Sequence, residues 1–152
     1  MVASVLGLRT DLARTGFNRV SLSIDVANED SHDWNPEIQV WKIGESDGWE
    51  KISDSIISVP IGVTYSVTVD SPVRVAYPHS VSFVVEMFVN GYHIGRSGAT
   101  MLIEKGLNIS SLKSDETLFA GADNTFTVGI ENLTDFWTPV GKASVSLGTM
   151  SE

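Results

Sequence analysis

Between Val20 and Val26, apolar side chains fall on every second residue: Val20, Leu22, Ile24 and Val26 alternate with Ser21, Ser23 and Asp25. A period of two puts one set of side chains on one face of an extended chain, whereas a helix would scatter them around its axis. The same signal returns along most of the chain after Phe17. Glu37–Ile43 reads as a second strand, and Trp49–Val59 as a third extended stretch, broken near Ser53–Asp54. Tyr65, Val67 and Val69 form the inward face of a fourth strand, and Val73–Tyr77 is a short edge segment between Pro72 and Pro78. Val81–Val89 and Tyr92–Ile103 are joined by Asn90-Gly91, a pair that supplies the two positive-φ residues of a tight type I′ hairpin turn. Leu107–Leu112, Thr125–Asn132 and Lys142–Leu147 complete the series. Short strands at roughly 8–12-residue spacing, with no helices between them, predict an antiparallel sandwich and argue against a parallel α/β sheet.

Helical periodicity is confined to the N-terminal arm, where Val5, Leu8 and Leu12 share one helical face and Gly16 could stop the helix. The same arm reads equally well as an extended segment. Met1 to Leu8 is apolar but short and has no basic leader, unlike a secretion signal. No stretch is long and apolar enough to be read as a membrane-spanning helix; the greasiest run, Val81–Val89, contains Glu86.

Of the 152 residues 42% are apolar, enough to build a core. The net charge of −9 repels phosphates and anionic lipid, so nucleic acid is not an expected partner. The absence of cysteine removes disulfides, thiol nucleophiles and thiolate metal sites.

An internal repeat refines this architecture. Residues 20–36 read VSLSIDVANEDSHDWNP and residues 124–139 read NTFTVGIENLTDFWTP. Each is an alternating strand that ends in Asn (Asn28, Asn132), then a polar loop with an Asp, then Trp-x-Pro (Trp34–Pro36, Trp137–Pro139). Val26 matches Ile130, Ile24 matches Val128 and Leu22 matches Phe126, with one deletion in the loop. Self-similarity at about one domain's spacing suggests repeated modules. The expected fold is therefore an all-β, antiparallel immunoglobulin-like β-sandwich. Residues 1–16 are read as an arm and 17–105 as a full module. Residues 106–152 are either part of a second module or completing strands of the same sandwich.

The pieces Leu22–Asn28, Ile38–Gly48, Val59–Val69 and Val81–Ile103, with IGVTYSVTVDSP at 61–72, resemble the cell-adhesion-related (CARDB-like) immunoglobulin-like modules of microbial surface proteins. The resemblance implies an adhesive or spacer role and brings no catalytic residues with it.

Four groups of residues bear on chemistry. Glu29, Asp30, His32 and Asp33 crowd one loop, where oxygen ligands could hold Ca²⁺ and the His could help hold Zn²⁺. The alternative is a solvated acidic loop; Asp135 is the matching position in the repeat. Gly44-Glu45-Ser46-Asp47-Gly48 fits G-x-S-x-G, but a nucleophile elbow needs a strand-to-helix turn, and here strands are expected on both sides. His79 and His93 have no acid or nucleophile partner in sequence. Trp41, Trp49 and Tyr77 could form an aromatic platform for a glycan, while Trp34 and Trp137 flank prolines in equivalent loops and suit a packing role. The sequons at Asn108 and Asn132 are frequent by chance at this composition. The expectation is a non-enzymatic structural or interaction protein, without a cofactor, extracellular on a cell surface or in a virion. Its partners would be proteins, copies of itself included. The alternative is a carbohydrate-binding module.

An assembly expectation follows from the arm. Val2–Leu8 could add as a strand to an open sheet edge of a neighbouring copy.

Overall fold

The computed structural model describes residues 6–43, 48–75, 77–114 and 117–138, and every regular element among them is a β-strand. In chain order they are β1 (Leu6–Gly16), β2 (Arg19–Asn28), β3 (Glu37–Ile43), β4 (Trp49–Ile56), β5 (Thr64–Pro72), β6 (His79–Val89), β7 (Tyr92–Ile103), β8 (Leu107–Ser114) and β9 (Phe126–Asn132). One sheet has the order β1-β2-β5 and a second the order β4-β3-β6-β7. All pairings are antiparallel. This is the two-sheet, seven-strand plan of an immunoglobulin-like sandwich, with the fourth strand carried on the second sheet.

The alternation of β2 explains the core. Val20, Leu22, Ile24 and Val26 are fully buried, opposite Tyr65, Val67 and Val69 of β5 in the same sheet. Facing them, Ile38 and Val40 of β3 and Val81, Phe83, Val85 and Met87 of β6 form one cluster with them. Each such side chain contributes about 1.5–3 kcal/mol on burial. Lys42 also lies on the inner side of β3, paired with Phe83. Its ammonium donates to Ser71 Oγ at 3.0 Å and to the Pro72 carbonyl at 2.6 Å, tying β3 to the end of β5 across the sheets. On the other flank β1 approaches β7, where the Thr10 and Ser97 hydroxyls hydrogen-bond at 2.7 Å.

Three sequence expectations change. Residues 6–16 are neither a helix nor a free arm: they form β1, in register with β2 from Leu6↔Asn28 to Gly16↔Arg19. Leu8 and Leu12 are four residues apart, a spacing that fits both a helix face and every second position of a strand. The inward position between them is Thr10, whose hydroxyl is satisfied by Ser97. Leu6 to Leu8 are therefore committed to their own chain and do not extend to a neighbour; Val2–Val5 lie outside the described residues. Residues 73–75 join no sheet and serve as a backbone strap instead, with Val73 N donating to Asn18 O and Gly106 N to Val75 O. β4 also runs unbroken through Ser53 and Asp54; the irregularity there is a register shift opposite Val40 and Trp41. The strand expected over Lys142–Leu147 falls outside the described residues.

The Asn90-Gly91 turn is as expected, with φ of 50° at Asn90 and 79° at Gly91 and Val89 paired to Tyr92. Beyond Gly106, β8 and β9 make a separate two-stranded sheet.

Candidate interaction surface

The acidic loop between β2 and β3 is organised by Asn28, which is 2% exposed. Its amide nitrogen donates to the carbonyls of His32 and Val59, both at 2.8 Å, and its oxygen accepts from the Asp30 amide at 2.9 Å. The nearby carboxylates are turned to the chain itself. Asp30 accepts from the Ser31 amide at 2.7 Å and from the Trp34 indole at 2.9 Å, and these two donors hold its carboxyl below the usual carboxylate value. Asp33 accepts from the Ile61 amide at 2.9 Å. The His32 ring is 3.7 Å from Asp30, and Glu29 is exposed. Among the described residues no three His, Asp or Glu side chains converge as metal ligands. In the Glu29, Asp30, His32, Asp33 set, the two aspartates accept from backbone amides and the Trp34 indole of the chain itself.

Of the three aromatic residues considered for a glycan, two come together. Trp41 and Trp49 meet edge-on, 6.5 Å apart at 60°, with the Lys51 ammonium 5.8 Å from the Trp41 ring. Trp41 pairs with Val84 and Trp49 with Ile43, which puts them on the outer face of the second sheet. Rings inclined at 60° do not offer one flat surface to a sugar. Tyr77 instead lies beside His79, their rings 5.5 Å apart and tilted by 52°, in a cleft of about 870 Å³ also lined by Lys42, Glu50 and Arg74. His93 lies against Phe88 and 4.0 Å from Glu86, whose main partner is Arg96. Ser46 is outside the described residues, but the flanking elements are the antiparallel pair β3 and β4, joined at Ile43↔Trp49. The strand-to-helix setting of a nucleophile elbow is not met there.

The repeat proves to be a three-dimensional one. Leu6 pairs with Asn28 in the first hairpin, and Leu107 with Asn132 in the second. Leu8↔Val26 corresponds to Ile109↔Ile130, and Leu12↔Leu22 to Ser114↔Phe126. The asparagine repeats its role: Asn132 donates to the Phe136 carbonyl at 2.7 Å and accepts from the Thr134 amide at 2.9 Å. These are the same i+4 and i+2 partners that Asn28 finds in His32 and Asp30. The one-residue loop difference falls after that point, where Asp33 is the extra residue.

What differs is burial. A bulge at Ser110–Ser111 leaves Ile109, Ile130, Leu112, Val128, Phe126 and Leu107 on one face of the β8–β9 hairpin. The opposite face carries Asn108, Glu131, Lys113 and Thr127. Both bulge serines also lie there: a Cβ on Gly129 would come within 2.7 Å of each hydroxyl. On the apolar face Ile109 is 69%, Leu112 58% and Ile130 55% exposed, while Leu107, Phe126 and Val128 are half-buried; Trp137, in the loop that follows β9, is 96% exposed. Val26, the counterpart of Ile130, is 0% exposed, Leu8, the counterpart of Ile109, is half-buried, and Trp34 packs on the core. The Asn and the Trp-x-Pro of this repeat are readable in the sequence; the bulge, which shifts β8 by one residue against β1, is not. Backbone bonds anchor the hairpin through Gly106, whose carbonyl accepts from Leu133 N at 2.9 Å, and the Arg14 guanidinium lies 5.8 Å from the Phe136 ring.

No protein-family model matches the chain, and no curated protein matches it. Among solved structures it is similar to part of a β-glucuronidase from glycoside hydrolase family 2, with 12% identity and a TM-score of 0.46 over 62% of this chain and 11% of that one. A β-glucosidase from Kluyveromyces marxianus in complex with glucose matches at 16% identity and TM-score 0.46, over 67% of this chain and 14% of that one. The Pseudomonas fluorescens alkylpurine DNA glycosylase AlkC, bound to DNA containing an abasic site analogue, matches at 13% and 0.45, over 62% and 30%. The matches span less than a third of the length of each of these proteins.

Proposed function

We propose that this chain is a non-catalytic structural and interaction protein of a microbial cell surface or a virus particle, acting through protein contacts of its β-sandwich. The observation that carries this reading is the β8–β9 hairpin. It repeats the first hairpin of the sandwich down to the asparagine hydrogen bonds, yet holds its apolar face open. Contiguous exposed apolar faces on folded proteins mark sites of association. Repetition of the unit suits a modular spacer or adhesive protein, in line with the resemblance to cell-adhesion-related modules. Its partners are proteins, and the acidic surface disfavours nucleic acid.

The test places a photo-crosslinking phenylalanine analogue at position 109, on the open face, or at 127, on the polar face. Irradiation is done in the purified protein and in an extract of the cells or particles that make it. Adducts to a second protein chain from 109 and not from 127 are expected. A chain that forms no intermolecular adduct from 109 in either setting refutes the reading.

The half-exposed Trp49 beside Trp41 favours one alternative, glycan binding. Titration with chito- and cello-oligosaccharides should leave tryptophan fluorescence unchanged; saturable quenching lost in Trp49→Ala would replace the protein-contact reading.

A further inference from the structure

We propose that the partner of the open hairpin is a second copy of this chain, the two β8–β9 hairpins packing apolar face to apolar face about a two-fold axis. This rests on the interaction-protein reading and names its partner.

The molecule itself shows what covers such a face. In the first hairpin, Leu22, Ile24 and Val26 are sealed by an antiparallel strand pair presenting Ile38, Val40, Phe83, Val85 and Met87. The cover is thus a second sheet with aliphatic and aromatic side chains on alternate positions. The open face of β8–β9 has that same character: Ile109, Leu112, Phe126, Val128 and Ile130 project together from paired positions. Each copy therefore presents both the face that needs covering and a cover of the right kind, the self-complementarity an isologous interface requires.

Electrostatics permits this pairing despite a net charge of −9. No Asp, Glu, Lys or Arg lies among the paired residues of the apolar face; Glu131 and Lys113 belong to the other side. Apposing two such faces desolvates no ionised group, so the cost that charged interfaces carry is avoided. Area is adequate as well. The paired side chains of the face offer on the order of 500 Å² per copy, the low end for specific interfaces and suited to a weak, concentration-dependent dimer. Stacked sheets sit about 10 Å apart, so side chains of this length from both hairpins interdigitate.

The experiment is sedimentation equilibrium of the purified 152-residue chain over a concentration series, with Ile130→Asp, Ile109→Asp and Thr127→Asp variants alongside. A concentration-dependent dimer is expected. Either isoleucine variant should raise its dissociation constant by at least about 30-fold, as for loss of a central hot-spot residue. Thr127→Asp, on the opposite face, should leave it unchanged. Because the isoleucines are exposed in one copy, the melting of the seven-strand sandwich should be unaltered in all three, which separates lost association from misfolding. A chain that stays monomeric throughout, or a dimer indifferent to both isoleucine variants, overturns the proposal. The crosslink at position 109 then distinguishes the two readings. An adduct to a different protein in the extract leaves the interaction reading standing and refutes self-pairing, whereas a crosslink only within the same chain refutes both.

Discussion

Asn28→Ala is the sharpest perturbation of this fold, and Asn132→Ala is its internal comparison. Asn28 makes three hydrogen bonds while 2% exposed: two from its amide nitrogen, to His32 O and Val59 O, and one to its oxygen from Asp30 N. A net hydrogen bond is worth about 1 kcal/mol, and a buried group left without a partner costs about 1–3 kcal/mol. The Val59 carbonyl keeps a second bond, from Trp34 N at 3.1 Å, and the Asp30 amide is near solvent, so full desolvation cost does not apply to each. The sum is about 2–3 kcal/mol, a fall in melting temperature of roughly 10 °C for a domain near 100 residues. Asn132 has the same two loop partners but is exposed, and water can replace the lost bonds, so Asn132→Ala should cost about 1 kcal/mol or less. Urea denaturation of the two variants, followed by circular dichroism, measures both. Equal effects would refute the argument, because they would mean that burial by the Val59 segment adds nothing to the asparagine's role.

Gly91→Val should lower stability by about 1–2 kcal/mol in thermal melts, since φ is 79° and the space around the residue is open, leaving backbone strain as the cause. Gly106→Ala should destabilise by about 1–3 kcal/mol, because a Cβ there would lie 2.9 Å from Val75 and 3.0 Å from the Phe17 ring; an unchanged urea midpoint would count against that packing. Asp30 has a carboxyl held below its usual value, so its contribution is present above about pH 4 and is lost as pH falls through its folded value. Asp30→Asn should therefore flatten the acid limb of the stability–pH curve while leaving the curve above pH 5 parallel to that of the parent; an identical acid limb would exclude the role.

What the sequence made legible was local. Alternation at Val20–Val26, the Asn90-Gly91 turn and the repeated Asn and Trp-x-Pro were readable because each depends on residues a few positions apart. β1 was ambiguous because Leu8 and Leu12 suit two periodicities and Thr10 hides the strand face behind a hydroxyl whose partners, Ser97 and the Gly98 carbonyl, lie in β7. In the acidic loop, composition offered both ligands and a solvated loop; the partners that geometry supplies, the Ser31 amide and Trp34 indole for Asp30 and Ile61 N for Asp33, could not be read from it. The pairing of β2 with β5 and the bridge between Trp34 and Val59 join residues more than twenty positions apart, and no local pattern encodes them.

The two hairpins separate what a short segment encodes from what its surroundings add. The strand pairing, the asparagine and its bonds to i+2 and i+4 form in both, with different loop residues and with a bulge in only one. That much is specified within each unit. Burial is not. Asn28 becomes inaccessible because the chain returns past it: Asn28 N donates to Val63 O, Gly62 N donates to Asn28 O, and Val59 O accepts from the side chain. Asp33, the residue absent from the second loop, joins this closure by capping Ile61 N. The inserted acid therefore belongs with the covering segment rather than with the hairpin. By the same reasoning, Thr134, Asp135 and Phe136 need no such insertion to shape their loop around Asn132. A partner that covers Trp137 and Ile130 would find that loop already formed, and a preorganised surface loses little conformational entropy on association.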